Sequence, residues 1–373
     1  MFQYRIYPTK KQLHKLNEML EECRWLYNHL LERRKLLYEQ EGTSVSLYQQ
    51  QETFSRLKQE RPRLKSVHSQ VLQNVAVRVD LAFKAFFRRV REHAKEKGYP
   101  RFKGRDRYDS FTFPQSGFAI THDERVVISK VGAIKMVYHR PLRGKIKTLT
   151  IHRSSTGKWY ACFSVECEPL RLPERTEQVG IDVGLTTFAT LSTGEEIANP
   201  RFFRKEEKAL AKVQRKHSKL ARGTPERQKH RKVVARVHER IAWCRENFTH
   251  QHSRSIVDRY GIIAVEDLTI NRMMHNHCLA KSIADASWSA FFAHLDSKAA
   301  EAGRILVKVN PAYTSQTCSV CGHRQPMPLS KRIFACPCCY AHLDRDLNAA
   351  KNILGLGLQS RVIPEAPGLS RGE

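Results

Sequence analysis

The chain has 373 residues, of which 41% are hydrophobic and 27% charged, and its formal net charge at pH 7 is +28. This apolar fraction excludes a wholly disordered chain, and no apolar run reaches the about 20 residues of a membrane span. The start of the chain lacks a signal-peptide pattern, which favours the cytosol or nucleoid. The excess of 65 Lys and Arg over 37 Asp and Glu favours a long nucleic-acid surface over an enzyme with a merely basic exterior.

The N-terminal part of the chain is predicted to be a strand followed by helices. Residues 2–7 have strand character, and apolar side chains spaced by three or four from Leu13 to Leu30 predict a helix. A second helix is predicted from about residue 69 to residue 97, with its arginines largely off the apolar stripe. We therefore expect a small helical domain with a basic exterior.

The region after the predicted helices has the sequence pattern of β-strands. Five strand-like runs lie between Gly and Pro turns, at 110–113, 126–128, 134–138, 148–151 and 159–165. Short strands at this spacing predict a small β-barrel.

A third region combines strands with basic helices. Strands are predicted at 179–184, 188–191, 261–265 and 305–309. The last two are continuous apolar runs, which suit buried parallel strands. Residues 201–245 hold 16 Lys and Arg against four Glu, and they predict a long helix or a helical hairpin broken near Gly223.

Four cysteines near the C-terminus have the spacing of a zinc site. Cys318 and Cys321 form one C-x2-C pair, Cys336 and Cys339 form a second, and 14 residues separate the pairs. Two such pairs suit one tetrahedral Zn²⁺ with a structural role, because four thiolates leave no open position for chemistry. Cys338 stays open as an alternative ligand to Cys339.

Three acidic residues are candidates for a catalytic metal site. Asp182 lies within a predicted strand, Glu266 ends another, and Asp346 opens a predicted helix. Converging carboxylates would repel one another, and two Mg²⁺ ions would relieve that repulsion and promote phosphodiester hydrolysis. Asp267 and Asp344 are neighbouring alternatives.

Motifs along nearly the whole chain resemble those of the TnpB (OrfB) family of insertion-sequence proteins, which are relatives of type V CRISPR effectors. They are YPTKKQ at 7–12, RWLYN at 24–28, GYPRFK at 98–103, SFTFPQ at 110–115, GIDVG at 180–184, VEDL at 265–268, TSQTCSVCG at 314–322 and DRDLNAA at 344–350. Cys338 and Tyr340 depart from the family's usual pattern around the last ligands.

The resemblance implies an RNA-guided DNA endonuclease with a guide RNA derived from the transposon end. Asp182, Glu266 and Asp346 would bind two Mg²⁺ (or Mn²⁺) ions, and the four paired cysteines would bind one Zn²⁺. The expected partners are one guide RNA per protein and a double-stranded DNA target that carries a short flanking motif.

The implied fold class is a bilobed, multidomain α+β protein. It comprises a helical recognition lobe, a small oligonucleotide-binding-like β-barrel (the wedge), and an RNase H-like RuvC nuclease with an inserted zinc ribbon. The expected bounds are 1–10 for the first wedge strand, 11–103 for the recognition domain, 104–175 for the wedge, 176–311 for RuvC with bridging helices at 201–258, 312–343 for the zinc ribbon, 344–358 for the last RuvC helix and 359–373 for a flexible tail.

Candidate nucleic-acid contacts lie in the helical domain and the bridging helices. Gln and Asn pair with adenine through two hydrogen bonds, and Lys and Arg neutralise phosphates. The candidates are Gln70, Gln73, Asn74, Arg88, Arg101, Lys103, Lys212, Arg215, Lys216, Lys219 and Arg231.

Four other functions stay open. They are a guided regulator that binds DNA without cutting it, a transposase accessory protein, a DNA-strand transferase and a junction resolvase. The presence of all three acidic residues disfavours the first.

Overall fold

The structure, a computed structural model, describes residues 1–328 and 330–362. Its contacts divide the chain into two units, Met1–Glu168 and the residues from Pro169 onward. Along the described ranges, no helix combines the length and the apolar character that crossing a bilayer would require.

The first unit carries a group of helices after its N-terminal strand. Thr9 and Gln12 form a capping box that begins the first helix, and Gly42 ends it in the left-handed conformation. The helices are α1 (Lys10–Glu41), α2 (Leu47–Glu52), α3 (Phe54–Glu60), a 3₁₀ turn (Pro62–Ser66) and α4 (Ser69–Arg91).

An antiparallel, barrel-like sheet completes the first unit, in the order β2-β6-β7-β1-β5-β4-β3. Phe113 and Phe118 pack edge to face at 6.3 Å, which brings the two outermost strands together. The strands are β1 (Phe2–Tyr7), β2 (Ser110–Phe113), β3 (Phe118–Ile120), β4 (Arg125–Ile128), β5 (Gly132–Met136), β6 (Lys145–Arg153) and β7 (Trp159–Glu166).

The helices and the sheet of the first unit share one hydrophobic core. Leu16 and Leu26 of α1, Val71 of α4, and Phe111 and Phe163 of the sheet are all fully buried in it. The predicted recognition and wedge domains therefore lie in one compact unit, and their separate bounds stay a prediction.

Helix α4 ends earlier than the sequence predicts. It stops at Arg91 rather than near residue 97. The Arg89 guanidinium donates hydrogen bonds to the carbonyl oxygens of Lys97 (2.6 Å) and Gly98 (2.8 Å), so the chain turns back on the helix end. A helical continuation would lose these contacts.

The second unit is built on a mixed sheet in the order β10-β9-β8-β11-β12. As predicted, β11 is a buried strand with parallel neighbours, β8 and β12, whereas β9 pairs with β8 and β10 in antiparallel fashion. The strands are β8 (Gln178–Val183), β9 (Thr187–Leu191), β10 (Glu196–Ala198), β11 (Ile262–Glu266) and β12 (Ile305–Val309), and a separate hairpin comprises β13 (Ile333–Ala335) and β14 (His342–Asp344).

The basic stretch of the second unit forms a helical hairpin, which confirms that prediction. Its arms turn near Gly223, which has a φ of +86°. The helices of this unit are α5 (Phe202–Lys219), α6 (Pro225–Arg259), α7 (Ile270–Met273), α8 (Ala280–Ala286), α9 (Trp288–Ala302) and α10 (Arg345–Val362).

Helix α10 continues past the predicted start of the tail at 359. It runs to Val362, and the rest of the predicted tail, 363–373, lies outside the described residues. Glycine has a low helix propensity, and Gly357 stays helical because it packs against Ala264 on β11.

Candidate functional site

Two parallel strands end side by side at the centre of the second sheet. In the register of β8 and β11, Ile181 pairs with Val265. Asp182 and Glu266 follow these residues on their own strands. They are therefore neighbours at the same end of the sheet.

Helix α10 lies close to this sheet because small residues face it. A Cβ atom on Gly180 would stand 2.1 Å from the carbonyl oxygen of Ala350, and one on Gly357 would stand 2.7 Å from the Cβ of Ala264. Gly180 and Ala264 thus face the helix. Side chains two residues apart on a strand share a face, so the two strand acids also lie on the α10 side.

The third acid is placed by the start of α10. The Asp344 carboxylate accepts hydrogen bonds from the backbone N–H groups of Asp346 (2.8 Å) and Leu347 (3.1 Å), so it caps the helix. Asp346 lies in the first turn, four residues before Ala350, and therefore on the side of the helix that meets the sheet. The structure thus separates Asp344, a cap, from Asp346, which points toward the strand ends.

The charges of Glu266 and Asp346 both act on Asp182. Burial raises the pKa of Asp182 well above its ordinary value, and the charges of Glu266 and Asp346 raise it further, against a smaller opposing effect of Arg345. Burial also raises the pKa of Glu266. We call Asp182, Glu266 and Asp346 the carboxylate site.

Sequence reasoning missed three side chains that contact this site. The Thr314 hydroxyl donates a hydrogen bond of 2.6 Å to Glu266 Oε1. Arg345 donates to Asp346 Oδ1 from Nε (3.0 Å) and Nη2 (2.9 Å), and Arg332 Nη1 lies 3.7 Å from Asp346 Oδ2. Thr314 and Arg345 lie inside the motifs at 314–322 and 344–350, which was the available signal for them, whereas Arg332 lies outside both motifs.

The four cysteines chosen by spacing come together in space. Their sulfur atoms lie within 4.8 Å of one another, and the Cys318–Cys339 and Cys321–Cys336 pairs are each 3.6 Å apart. Tetrahedral Zn²⁺ with bonds of about 2.3 Å needs sulfur atoms about 3.8 Å apart, so this group, the cysteine cluster, fits the ion. Cys338 is exposed and stands outside the group.

A second group of possible ligands joins α6 and α9. Glu246, His250 and His294 have donor atoms within 4.8 Å of one another. The two imidazole rings, however, stack with centroids 3.7 Å apart and planes at 23°. Their nitrogen lone pairs therefore do not converge on one point, and we assign no ion to this group.

Comparison with known proteins identifies the family. A protein of Streptomyces pristinaespiralis named "Putative RNA-guided DNA endonuclease" is 35% identical over 364 residues, which cover 96% of this chain and 89% of that protein. The chain belongs to the TnpB (OrfB) family. The OrfB_IS605 family profile, described as a probable transposase, matches residues 162–277 of this TnpB chain. A Cas12f1-like TNB domain profile matches 288–353, and a helix-turn-helix profile matches 1–43, which here form β1 and the single helix α1.

Two further relatives support this placement of the TnpB chain. The "Putative RNA-guided DNA endonuclease InsQ" of Escherichia coli (strain K12) is 28% identical over 95% of this chain and 92% of its own length. The "CRISPR-associated endodeoxyribonuclease Cas12f1" of Sulfoacidibacillus thermotolerans is 31% identical over 61% of this chain and 58% of its own length.

Two solved structures align with the TnpB chain at low similarity. A complex of Cas12f1 with single-guide RNA and target DNA covers 95% of this chain and 98% of its own, with 14% identity and a TM-score of 0.36. A mini RNA-guided endonuclease, CRISPR-Cas_phi3, covers 71% and 64%, with 10% identity and a TM-score of 0.41.

The basic candidates of the TnpB chain lie on its surface. Lys212, Arg215, Lys216 and Lys219 are exposed on α5, and Arg231 is exposed on α6. In the first unit, Arg88 and Arg101 are exposed, whereas Lys103 is partly buried.

The amide candidates on α4 differ in their existing contacts. Gln70 Oε1 accepts hydrogen bonds from the N–H (2.9 Å) and hydroxyl (3.1 Å) of Ser116. Asn74 Oδ1 accepts one from Arg78 Nε at 3.2 Å, and Gln73 is exposed. A base that binds Gln70 or Asn74 would therefore share the side chain with these partners.

Proposed function

We propose that this TnpB chain is an RNA-guided DNA endonuclease of a transposable element, which hydrolyses phosphodiester bonds at the carboxylate site. Two observations support the proposal: Asp182 and Glu266 are neighbours at the carboxyl ends of β8 and β11, and the charge of Asp346, in the first turn of α10, acts on Asp182. The names of its relatives give the same activity.

The sheet of the second unit supports a RuvC-type assignment. Its strand order places β8 between β9 and β11, with three parallel strands and an antiparallel pair at one edge. This is the arrangement expected of an RNase H-like sheet. The acids lie at the carboxyl ends of its central strands, where open α/β sheets bind their ligands.

The carboxylate site fits Mg²⁺ or Mn²⁺, because its donors are oxygen atoms and its buried charges repel one another. Asp182, Glu266 and Asp346 would hold the ions. When bound, two such ions activate water and stabilise the leaving oxygen in phosphodiester hydrolysis. Thr314 orients Glu266, and Arg345 holds Asp346 in place.

The cysteine cluster fits one structural Zn²⁺, and the exposed cations fit a guide RNA paired with target DNA. A guide reads sequence by base pairing, so the protein needs mainly backbone contacts to the heteroduplex. The exposed lysines and arginines of α5 and α6 supply such contacts. We place the reading of the flanking motif at Gln70, Gln73 and Asn74, in a protein that acts in the prokaryotic cytosol.

The test has two steps. RNA that co-purifies with the protein is sequenced, and its guide segment is then matched to a plasmid target that carries randomised flanking bases. We expect cleavage by the wild-type complex and none by Asp182→Ala with the same RNA. Equal nicking by both proteins would end the nuclease proposal, and cleavage of four-way junctions without RNA would favour a resolvase.

A further inference from the structure

A short turn connects the cysteine cluster to the carboxylate site. It follows β12 and spans residues 311–319, which include Cys318, the first cysteine of the cluster. Thr314 in this turn is almost fully buried, at 3% exposure. Its hydroxyl group lies 2.6 Å from Glu266 Oε1 and 3.2 Å from the carbonyl oxygen of Pro311. The shorter of these two contacts is therefore the one between the Thr314 hydroxyl and the Glu266 carboxylate.

Two asparagines of α10 hold this turn. Asn352 Nδ2 donates to the carbonyl oxygens of Thr314 (2.8 Å) and Thr317 (2.6 Å). Asn348, which is fully buried, donates from Nδ2 to the carbonyl oxygen of Thr317 (2.7 Å) and accepts from the N–H of Ser319 (2.8 Å). The turn is therefore clamped on both sides of Thr317.

The clamp also fixes the first cysteine of the cluster. Cys318 lies between Thr317 and Ser319, the two residues that Asn348 binds, and its side chain is 1% exposed. A displacement of Cys318 would strain these hydrogen bonds and loosen the turn, because the backbone on both sides of Cys318 is bonded to α10. That helix begins with Arg345 and Asp346. One rigid element thus carries an acid of the carboxylate site and the clamp for the turn.

We propose that Thr314 is a positioning residue through which the cysteine cluster regulates the carboxylate site. With the cluster closed around its metal, the turn is held and the Thr314 hydroxyl fixes the orientation of Glu266. Without metal in the cluster, four thiols at contact distance move apart, the turn loosens and Glu266 loses its partner. Divalent-ion affinity at the carboxylate site then falls. This inference rests on the proposed function of that site.

The test measures ion binding without DNA cleavage. Mn²⁺ is titrated into the full-length, zinc-loaded protein, and free Mn²⁺ is followed by electron paramagnetic resonance, with Asp182→Ala as the background. We expect Thr314→Val to weaken Mn²⁺ binding about 10-fold or more, as loss of a side chain that orients a metal ligand commonly does. Thr314→Ser keeps the hydroxyl and should restore binding.

Thr249→Val is the matched control. Thr249 is buried in α6, and its hydroxyl donates to the carbonyl oxygens of Arg245 and Glu246, both at 3.0 Å. Neither partner belongs to the turn or to the carboxylate site, so this variant should bind Mn²⁺ like the wild type. Wild-type affinity in Thr314→Val, or equal losses in Thr314→Val and Thr249→Val, would overturn the inference.

The link to the cluster is tested with Cys336→Ser and with Asn352→Leu, which breaks the clamp without touching a cysteine. Each variant should weaken Mn²⁺ binding. A double variant that combines either change with Thr314→Val should bind Mn²⁺ as well as the more impaired of its two single variants, because all three changes affect the same turn. Additive losses would overturn the coupling. If wild type binds Mn²⁺ no better than Asp182→Ala, the proposed function fails instead.

Discussion

The carboxylate site and the cysteine cluster lie in the same unit but are assembled over very different lengths of chain. The cysteines fall between residues 318 and 339, and their sulfur atoms come together within this one short segment of chain. The acids come from residues 182, 266 and 346 and meet only because two strands and a helix pack. The cluster thus depends on local geometry, whereas the carboxylate site depends on the packing of the whole second unit.

This difference predicts that zinc binding at the cluster depends mainly on its own four cysteines. Cys336→Ser should abolish binding of about one Zn²⁺ per chain, measured by metal analysis of the purified protein. The zinc-free variant should also lose protection from hydrogen exchange across the hairpin β13–β14.

Cys338→Ser is the matched control for this experiment. Its side chain is exposed and lies outside the group of four sulfur atoms. Zinc content should stay at the wild-type level. Loss of zinc in Cys338→Ser with retention in Cys339→Ser would reverse the ligand assignment.

The carboxylate site should instead respond to changes in the packing of α10 against the sheet. Gly180→Ala places a Cβ atom 2.1 Å from the Ala350 carbonyl oxygen, so α10 must move. We expect a loss of roughly 1–3 kcal/mol in the free energy of unfolding, measured by urea denaturation. Cleavage by the guided complex should fall with it, because the shift carries Asp346 away from the strand ends.

A second glycine tests whether the steric clash with the sheet causes the loss of stability and cleavage. A Cβ atom on Gly355 in α10 would meet nothing within 4 Å. Gly355→Ala should therefore stabilise the helix by roughly 0.5–1 kcal/mol and leave cleavage intact. A similar loss of stability and cleavage in both glycine variants would show that steric contact between α10 and the sheet does not cause the loss.

The smallest expected effect concerns pH. Burial and the neighbouring acids raise the pKa of Asp182, so the folded protein without Mg²⁺ keeps a proton that the unfolded chain has already released. Its stability should fall as pH rises from the ordinary carboxyl range to the raised pKa, and level off above it. Thermal unfolding without added divalent ions, over pH 4–8, measures this.

Asp182→Asn supplies the comparison for the pH series. This variant should show a smaller decline of stability with rising pH and a higher melting temperature at neutral pH, because it removes a buried charge. An identical pH slope in the variant and the wild type would contradict the repulsion that we infer at this site. Added Mg²⁺ should stabilise the wild type more than the variant.

The sequence is most informative where structure is local. The spacing of the cysteines favours Cys339 over Cys338 as the fourth member of the cluster, and the sulfur positions agree with it. The apolar run before Glu266 predicts a buried strand correctly. The acids can be recognised one by one, but only the register of β8 and β11 and the approach of α10 make them neighbours.

Other features could not be read from a single sequence, because they depend on contacts between distant segments. Arg89 turns the chain back and ends α4, and Gly357 stays helical because it packs on Ala264. Likewise, the role of the Thr314 hydroxyl depends on its contact with Glu266, which lies 48 residues earlier in the chain. Intrinsic propensities do not include such distant contacts.

The junction between β14 and α10 has no linker, since β14 ends at Asp344 and α10 begins at Arg345. An α-helix advances about 100° and 1.5 Å per residue. One residue added between Asp346 and Asn348 would therefore swing the acid about a quarter turn around the helix while the glycine contacts with the sheet stayed in register. The junction is therefore a poor place to insert a reporter sequence or to split the chain. Insertions should be tolerated far more readily at the exposed turn around Gly223.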